Sequence, residues 1–233
     1  MANITLLQLR TEARQRSDME NSTFVKDSEL NNYINNSISE LHDLLIQAYD
    51  ADYYIKSSTF STAANAESYS LSTVITDDDF YKLRGVDAKL NNSEWFTLQP
   101  FTFNERNRRQ NFGAWRYLGV SNVRYRLTGN TIRFTPIPDD AIECRIWYIP
   151  VASVLSNDTD TLDDLNNFSE YVIVDAAIKM LQKEESDTSV LERQKAALKR
   201  RIEEAANNRD AGQGESISDV HSDNAEYMSY GRS

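Results

Sequence analysis

The run NDTDTLDD places four carboxylates, Asp158, Asp160, Asp163 and Asp164, within seven residues, a density that suits a divalent cation. Counted from Asp158, however, the sixth position is Asp163 where a calcium loop needs glycine, and the twelfth is Ser169 where it needs a bidentate Glu. The run therefore reads as an acidic loop that precedes a helix and complements the positive end of its dipole. Asp77, Asp78 and Asp79 read as a solvated turn. Of the two histidines, His42 lies beside Leu41 and Leu45 as a border residue of a core face, and His221 lies near the end of the chain. Neither has a Ser or Cys nucleophile and an orienting third group around it, so no triad can be assembled. Cys144, the single cysteine, alternates with apolar neighbours, which predicts a small buried hydrophobe whose thiol stays protonated. Neither a P-loop nor a GxGxxG occurs among only seven glycines. The expectation is no catalytic residue, no cofactor and no metal.

The arginines carry more information. On the hairpin YRLTGNTIRF and its flanks, Arg124, Arg126 and Arg133 alternate with apolar residues, and Arg145 continues the pattern on the next strand. All four are expected on the face opposite the apolar one. The preceding NERNRRQNFGAWRY adds Arg106, Arg108, Arg109 and Arg116, with Trp115 and Tyr117. Basic residues interleaved with aromatics suit single-stranded nucleic acid; they also suit a solvated sheet face, or a docking surface for acidic helices of another copy or another protein. Charge distribution helps to choose. Residues 101–150 carry 8 Arg against 4 acids, whereas the remainder carries 17 Lys and Arg against 32 acids, and the whole chain stands at −11. Phosphate binding scales with the number of phosphates neutralised, so an acidic chain favours docking over a nucleic-acid role.

Three blocks must position these residues. Residues 1–51 are helical: Thr5 and Gln8 have capping-box spacing for a helix over 5–18. After Asp27 or Ser28 as cap, Leu30, Ile34, Ile38, Leu41, Leu45 and Ala48 recur at helical intervals. Residues 52–150 hold all four prolines and turn to period two, in YYIKSSTF, SYSLS, FYKLRGV and EWFTLQP. Within 123–148 the alternation of Val123, Tyr125, Leu127, Ile132, Phe134, Ile142, Cys144, Ile146 and Tyr148 predicts one meander with one apolar face, turning at Gly129. Residues 151–205 return to helix. Tyr171–Leu181 is apolar nearly all round, as for a helix at the centre of a bundle, and Ser189 with Glu192 has capping-box spacing. Residues 206–233 lack apolar periodicity and are expected to be an extended tail, disordered in isolation. The fold class is α+β: a bundle of about four helices interrupted by an antiparallel β domain. No run of apolar residues is long enough for export or a membrane span.

The order of ITLLQLRTEARQRSDMENSTFVKDSELNNYINNSISELHDLL, then YRLTGNTIRFTPIPDDAIECRIWYIP, then FSEYVIVDAAIKMLQKEES and a charged helix resembles the head-to-tail adaptor, or connector, proteins of tailed bacteriophages. The resemblance covers residues 3–205. It implies a structural virion protein, made in the bacterial host cytoplasm, that forms a ring of about twelve copies under the portal protein. Such a ring joins the capsid to a tail nozzle or tube protein and lines the exit channel, where an acidic surface lets viral DNA pass without specific binding. On this resemblance the interface residues are Arg124, Arg126, Arg133, Arg145 and Trp115, with Tyr227, Met228 and Tyr230 as anchors in the tail. A nucleic-acid-binding module using the arginine face is the alternative.

Overall fold

The Thr5 cap forms as its spacing requires. The Thr5 hydroxyl accepts the Gln8 N–H at 3.2 Å, and the Gln8 side chain accepts the Thr5 N–H at 2.9 Å. This starts α1, Leu6–Arg16, directly after a short strand β1, Asn3–Thr5. The computed structural model describes residues 3–49, 53–90, 94–106, 123–163 and 167–207.

α2, Asp27–Ala48, begins one residue earlier than the expected caps; its N-cap is Lys26, which makes no side-chain cap. Instead Asp27, in the first turn, accepts Arg14 of α1 at 2.8 Å. The periodic positions Leu30, Ile34, Ile38, Leu41 and Leu45 are all buried. They pack on α4, Ser169–Glu184, where the unbroken stretch from Tyr171 to Ile178 is buried, together with Met180. α4 touches α1, α2 and α5, Ser189–Asn207, which makes it the central helix. At about 1.5–3 kcal/mol per fully buried aliphatic side chain, this shared face is the main support of the helices. The start of α5 differs from the expected Ser189 and Glu192 box: Asp187 accepts the Ser189 N–H at 2.9 Å, and the Thr188 hydroxyl donates to Glu192 at 2.7 Å. The acidic loop before α4 also contains β10, Thr161–Asp163, which pairs antiparallel with β1.

The β part is a two-sheet sandwich, and this corrects the single meander. β2, Lys56–Ser61, β4, Phe80–Leu90, and β5, Glu94–Thr97, form one sheet with β9, Glu143–Pro150, in the order β2-β9-β4-β5. β3, Ser68–Ser70, β6, Gln99–Pro100, and the hairpin β7, Arg124–Thr128, with β8, Thr131–Thr135, form the other in the order β3-β8-β7-β6. Its edge pair β6 and β7 is parallel; the other pairs are antiparallel. Gly129 turns the hairpin at φ +56°, a left-handed angle that suits glycine. Residues of both sheets share one core: Val86, Ala88, Cys144 and Ile146 from the first meet Ile132 and Phe134 from the second. A single helical turn, α3, Leu71–Val74, occupies the end of the expected strand SYSLS and buries Leu71 and Val74 in the same core. Alternation in β7, β8 and β9 is read correctly as one inward face each, but the inward faces belong to two sheets that face one another.

Candidate functional site

The two-sheet arrangement separates the four arginines. Arg124, Arg126 and Arg133 are on the outer face of the hairpin sheet; Arg145 is on the outer face of the other sheet, so the four do not form one panel.

Arg145 is held within its own sheet. Its guanidinium donates to the Asp87 carboxylate of β4 at 3.2 Å, and its carbon lies 4.2 Å from the Trp95 ring centre and 4.8 Å from that of Trp147. The Trp147 indole N–H donates to the same Asp87 oxygen at 2.6 Å, and Thr97 donates to the other at 3.1 Å. Asp87 is buried at 8% exposure, so these four groups satisfy one another and leave no charge for a partner.

The hairpin arginines are arranged differently. Arg126 and Arg133 stand directly opposite each other in the ladder, an unfavourable like-charge pair. Arg126 donates to the Phe101 carbonyl at 3.1 Å, and Arg133 has Glu67 at 3.6 Å, both groups half in solvent. Arg106, from the turn Phe103–Glu105 onward, lies 4.2 Å from the Phe103 ring centre, and Arg126 lies 5.7 Å from it. Arg106, Arg126, Arg133 and Phe103, 57% exposed, line a small pocket. Glu67 is the one acid among the described lining residues. Arg124, closer to the sheet edge, has its Nε buried and unpartnered among the described residues. Trp115, with Arg108, Arg109, Arg116 and Tyr117, lies outside the described residues, as do Tyr227, Met228, Tyr230 and His221.

The other candidates resolve into structural roles. In the acidic loop, Asp160 accepts the Ser156 and Asn157 N–H groups at 2.8 Å each, and these bonds hold its carboxyl below the usual range. The Asp158 carboxylate pairs with Arg10, and the Asp158 and Asp160 carbonyls accept the first N–H groups of α1, at 3.3 and 2.9 Å. The loop thus completes the start of α1 rather than that of α4. Asp163 is in β10, and Asp164 lies outside the described residues. In the Asp77–Asp79 run, Asp79 is no solvated residue: it accepts Lys56 at 2.8 Å and the Tyr148 hydroxyl at 2.9 Å. Burial would raise its pKa, but these two bonds outweigh it and hold the carboxyl low. Cys144 is fully buried, and burial pushes its thiol up to about 12. His42 is deeper than a border residue, 6% exposed, stacked on Tyr54 at 4.5 Å. Burial lowers its pKa against the opposing pull of Asp43 and the Pro150 carbonyl, and its Nε2 has no partner among the described residues. Among the described residues, no three His, Cys, Asp or Glu side chains gather as a metal would need, and no helix is long and apolar enough to cross a membrane.

One cluster escaped the sequence reading. Asp175, 3% exposed within the apolar run of α4, accepts Ser37, Lys179 and Lys195 at 2.6 Å each, and both lysines also reach Glu40 at 2.9 Å. Burial would raise the Asp175 pKa, but the lysines and Ser37 outweigh it and hold the group ionised. The signal was present as an Asp four residues before a Lys on a helix otherwise apolar all round. Its partners on α2 and α5 make it a tie among three helices.

With no site for covalent chemistry assembled among the described residues, what distinguishes the described surface is its charge pattern: a pocket lined by three arginines and one acid on a chain that is acidic overall. The sequence profile of a family described as SU10 adaptor protein matches residues 4–220. The chain belongs to that family. These are phage head-to-tail adaptors, the group the sequence resembles, and membership implies contacts with portal and tail components in a virion. No curated protein sequence matches the chain.

Proposed function

We propose that this adaptor is a non-enzymatic ring protein of about twelve copies, seated under the portal, joined below to a tail nozzle or tube protein, and enclosing the DNA exit path. The observation that carries the reading is the family match over nearly the whole chain. Charge supports it: a ring needs head-to-tail contacts between unlike surfaces of identical copies, and here arginines on one sheet accompany a net charge of −11. Acid facing the channel would repel DNA phosphates and let the genome slide. In this division of labour the helices of 1–51 and 151–205 form the ring wall, and the β domain of 52–150 projects the arginine surface. The full chain mixed with portal should give stacked rings in electron micrographs. A chain that stays monomeric and never binds portal would overturn the proposal.

Arg106, Arg126 and Phe103 together also fit a nucleic-acid surface. DNA retention that falls steeply with salt and disappears in Arg124→Ala, Arg126→Ala, Arg133→Ala chains would favour that reading.

A further inference from the structure

Among the described residues the arginine pocket on the hairpin sheet carries more positive than negative charge. Arg106 and Arg126 lie 4.2 and 5.7 Å from the Phe103 ring centre, Arg133 lines the same pocket, and Glu67, 3.6 Å from Arg133, is the single acid among its described lining residues. The cross-strand pairing of Arg126 with Arg133 is a cost that an anion seated between them would remove. Residues 107–122, which follow Arg106 in sequence, cannot supply that anion, because they include three arginines and no acid.

One segment of the chain has the complementary composition. From Glu215 to Glu226 there are four acids, Glu215, Asp219, Asp223 and Glu226, and neither Lys nor Arg. Their spacings of four, four and three would bring them to one side of a helix formed on docking, with Tyr230 four residues further along the same line. Tyr227 and Met228 follow immediately, side chains that suit a pocket presenting the exposed ring of Phe103.

We infer that the acidic C-terminal segment, Glu215–Tyr230, of a second copy docks in the Arg106, Arg126 and Arg133 pocket. The identity of that copy as the ring neighbour rests on the function proposed above; the pairing of segment with pocket does not. Acids meet the guanidinium groups as charge-assisted, forked hydrogen bonds, and an aromatic or Met side chain stacks against Phe103. An acidic segment on one copy and an arginine pocket on the next make a directional contact, which can close a ring.

The test uses a fluorescent peptide of residues 211–233 and the full chain, read by anisotropy. Three arms are needed. The peptide should bind the wild-type chain, weaken by about tenfold or more when Arg126 and Arg133 are both changed to Ala, and weaken by about fivefold between low and physiological salt. In the variant Asp219→Asn, Asp223→Asn, Glu226→Gln, whose own segment is neutralised, the wild-type peptide should bind at least as well. Binding to this variant alone, at a concentration where the wild-type chain is monomeric, would mean that each chain fills its own pocket, and would overturn docking between copies. Failure to bind either protein would overturn the pairing itself, as would binding indifferent to the two arginines. Circular dichroism of the arginine variant checks that it is folded; if it is not, Arg126→Lys with Arg133→Lys, which keeps charge but loses the fork, should still weaken binding. Rings stacked on portal without peptide binding would leave the proposed function standing and remove only this contact.

Discussion

Changing Asp175 to Ala removes the common acceptor of Ser37, Lys179 and Lys195 and should loosen three helices at once. Taking one member from a buried ion pair costs about 3–5 kcal/mol, mostly because its partner is left buried and unpaired. The two lysines are 21% and 28% exposed and keep Glu40, so they can partly rehydrate. The low end, about 3 kcal/mol, therefore applies. For a chain of this length each kcal/mol moves the melting temperature by about 2–4 °C, so the expected fall is about 6–12 °C. Asp175→Asn should fall less, since the amide oxygen can still accept from Ser37. Thermal melts followed by far-ultraviolet circular dichroism report the helices directly. Acid provides a second signature: the Asp175 pKa is held low, so its stabilisation is complete above the unfolded value of about 3.9 and lost as pH falls through the folded value. Lys195, raised because Asp175 and Glu40 outweigh its burial, acts in the opposite sense: its contribution is complete below about pH 10.4 and lost as pH rises through the folded value. An Asp175→Ala chain that melts within about 1 °C of wild type would refute the claim that this cluster ties the helices together.

Three further outcomes follow from named contacts. Arg145→Ala should cost about 1–3 kcal/mol by uncovering Asp87 and should change tryptophan emission through Trp95 and Trp147, yet leave binding of the 211–233 peptide unchanged, because Arg145 is on the other sheet. Cys144, its thiol pushed up to about 12 by burial, should resist a thiol reagent at pH 8 in the native protein and react fully once denatured; fast native labelling would mean that the sandwich core opens. His42 is held neutral by burial, so acidification from about pH 6.5 downward should destabilise the fold as the unfolded chain takes up a proton that the folded chain refuses. In His42→Phe that part of the pH dependence should vanish from urea titrations.

The helices were legible because their signals are local. Thr5 and Gln8 are three residues apart, and the α2 stripe from Leu30 to Leu45 needs no knowledge of what covers it. The hairpin at Gly129 was legible for the same reason. Sheet membership was not, since alternation reports which side of a strand is apolar and says nothing of its neighbours. β9 pairs with β2 and β4, whose residues precede it by roughly 60–90 positions, while the hairpin just before it pairs elsewhere. The chain between β8 and β9 contains Pro136 and Pro138, which cannot donate to a ladder, and there it crosses from one sheet to the other.

That crossing decides which arginines are available. By type and alternation Arg126, Arg133 and Arg145 are equivalent, and composition alone would treat them as one basic patch. What separates them is the residue on the adjacent strand. β4 brings Asp87 level with Arg145, whereas β8 brings Arg133 level with Arg126. An arginine facing an acid across a ladder is satisfied within the fold, and one facing another arginine keeps a repulsion that a further anion would relieve. The distinction is set by long-range register, which no local pattern encodes. It is also why the hairpin sheet, and not the more aromatic sheet of Trp95 and Trp147, is the surface expected to meet an acidic partner.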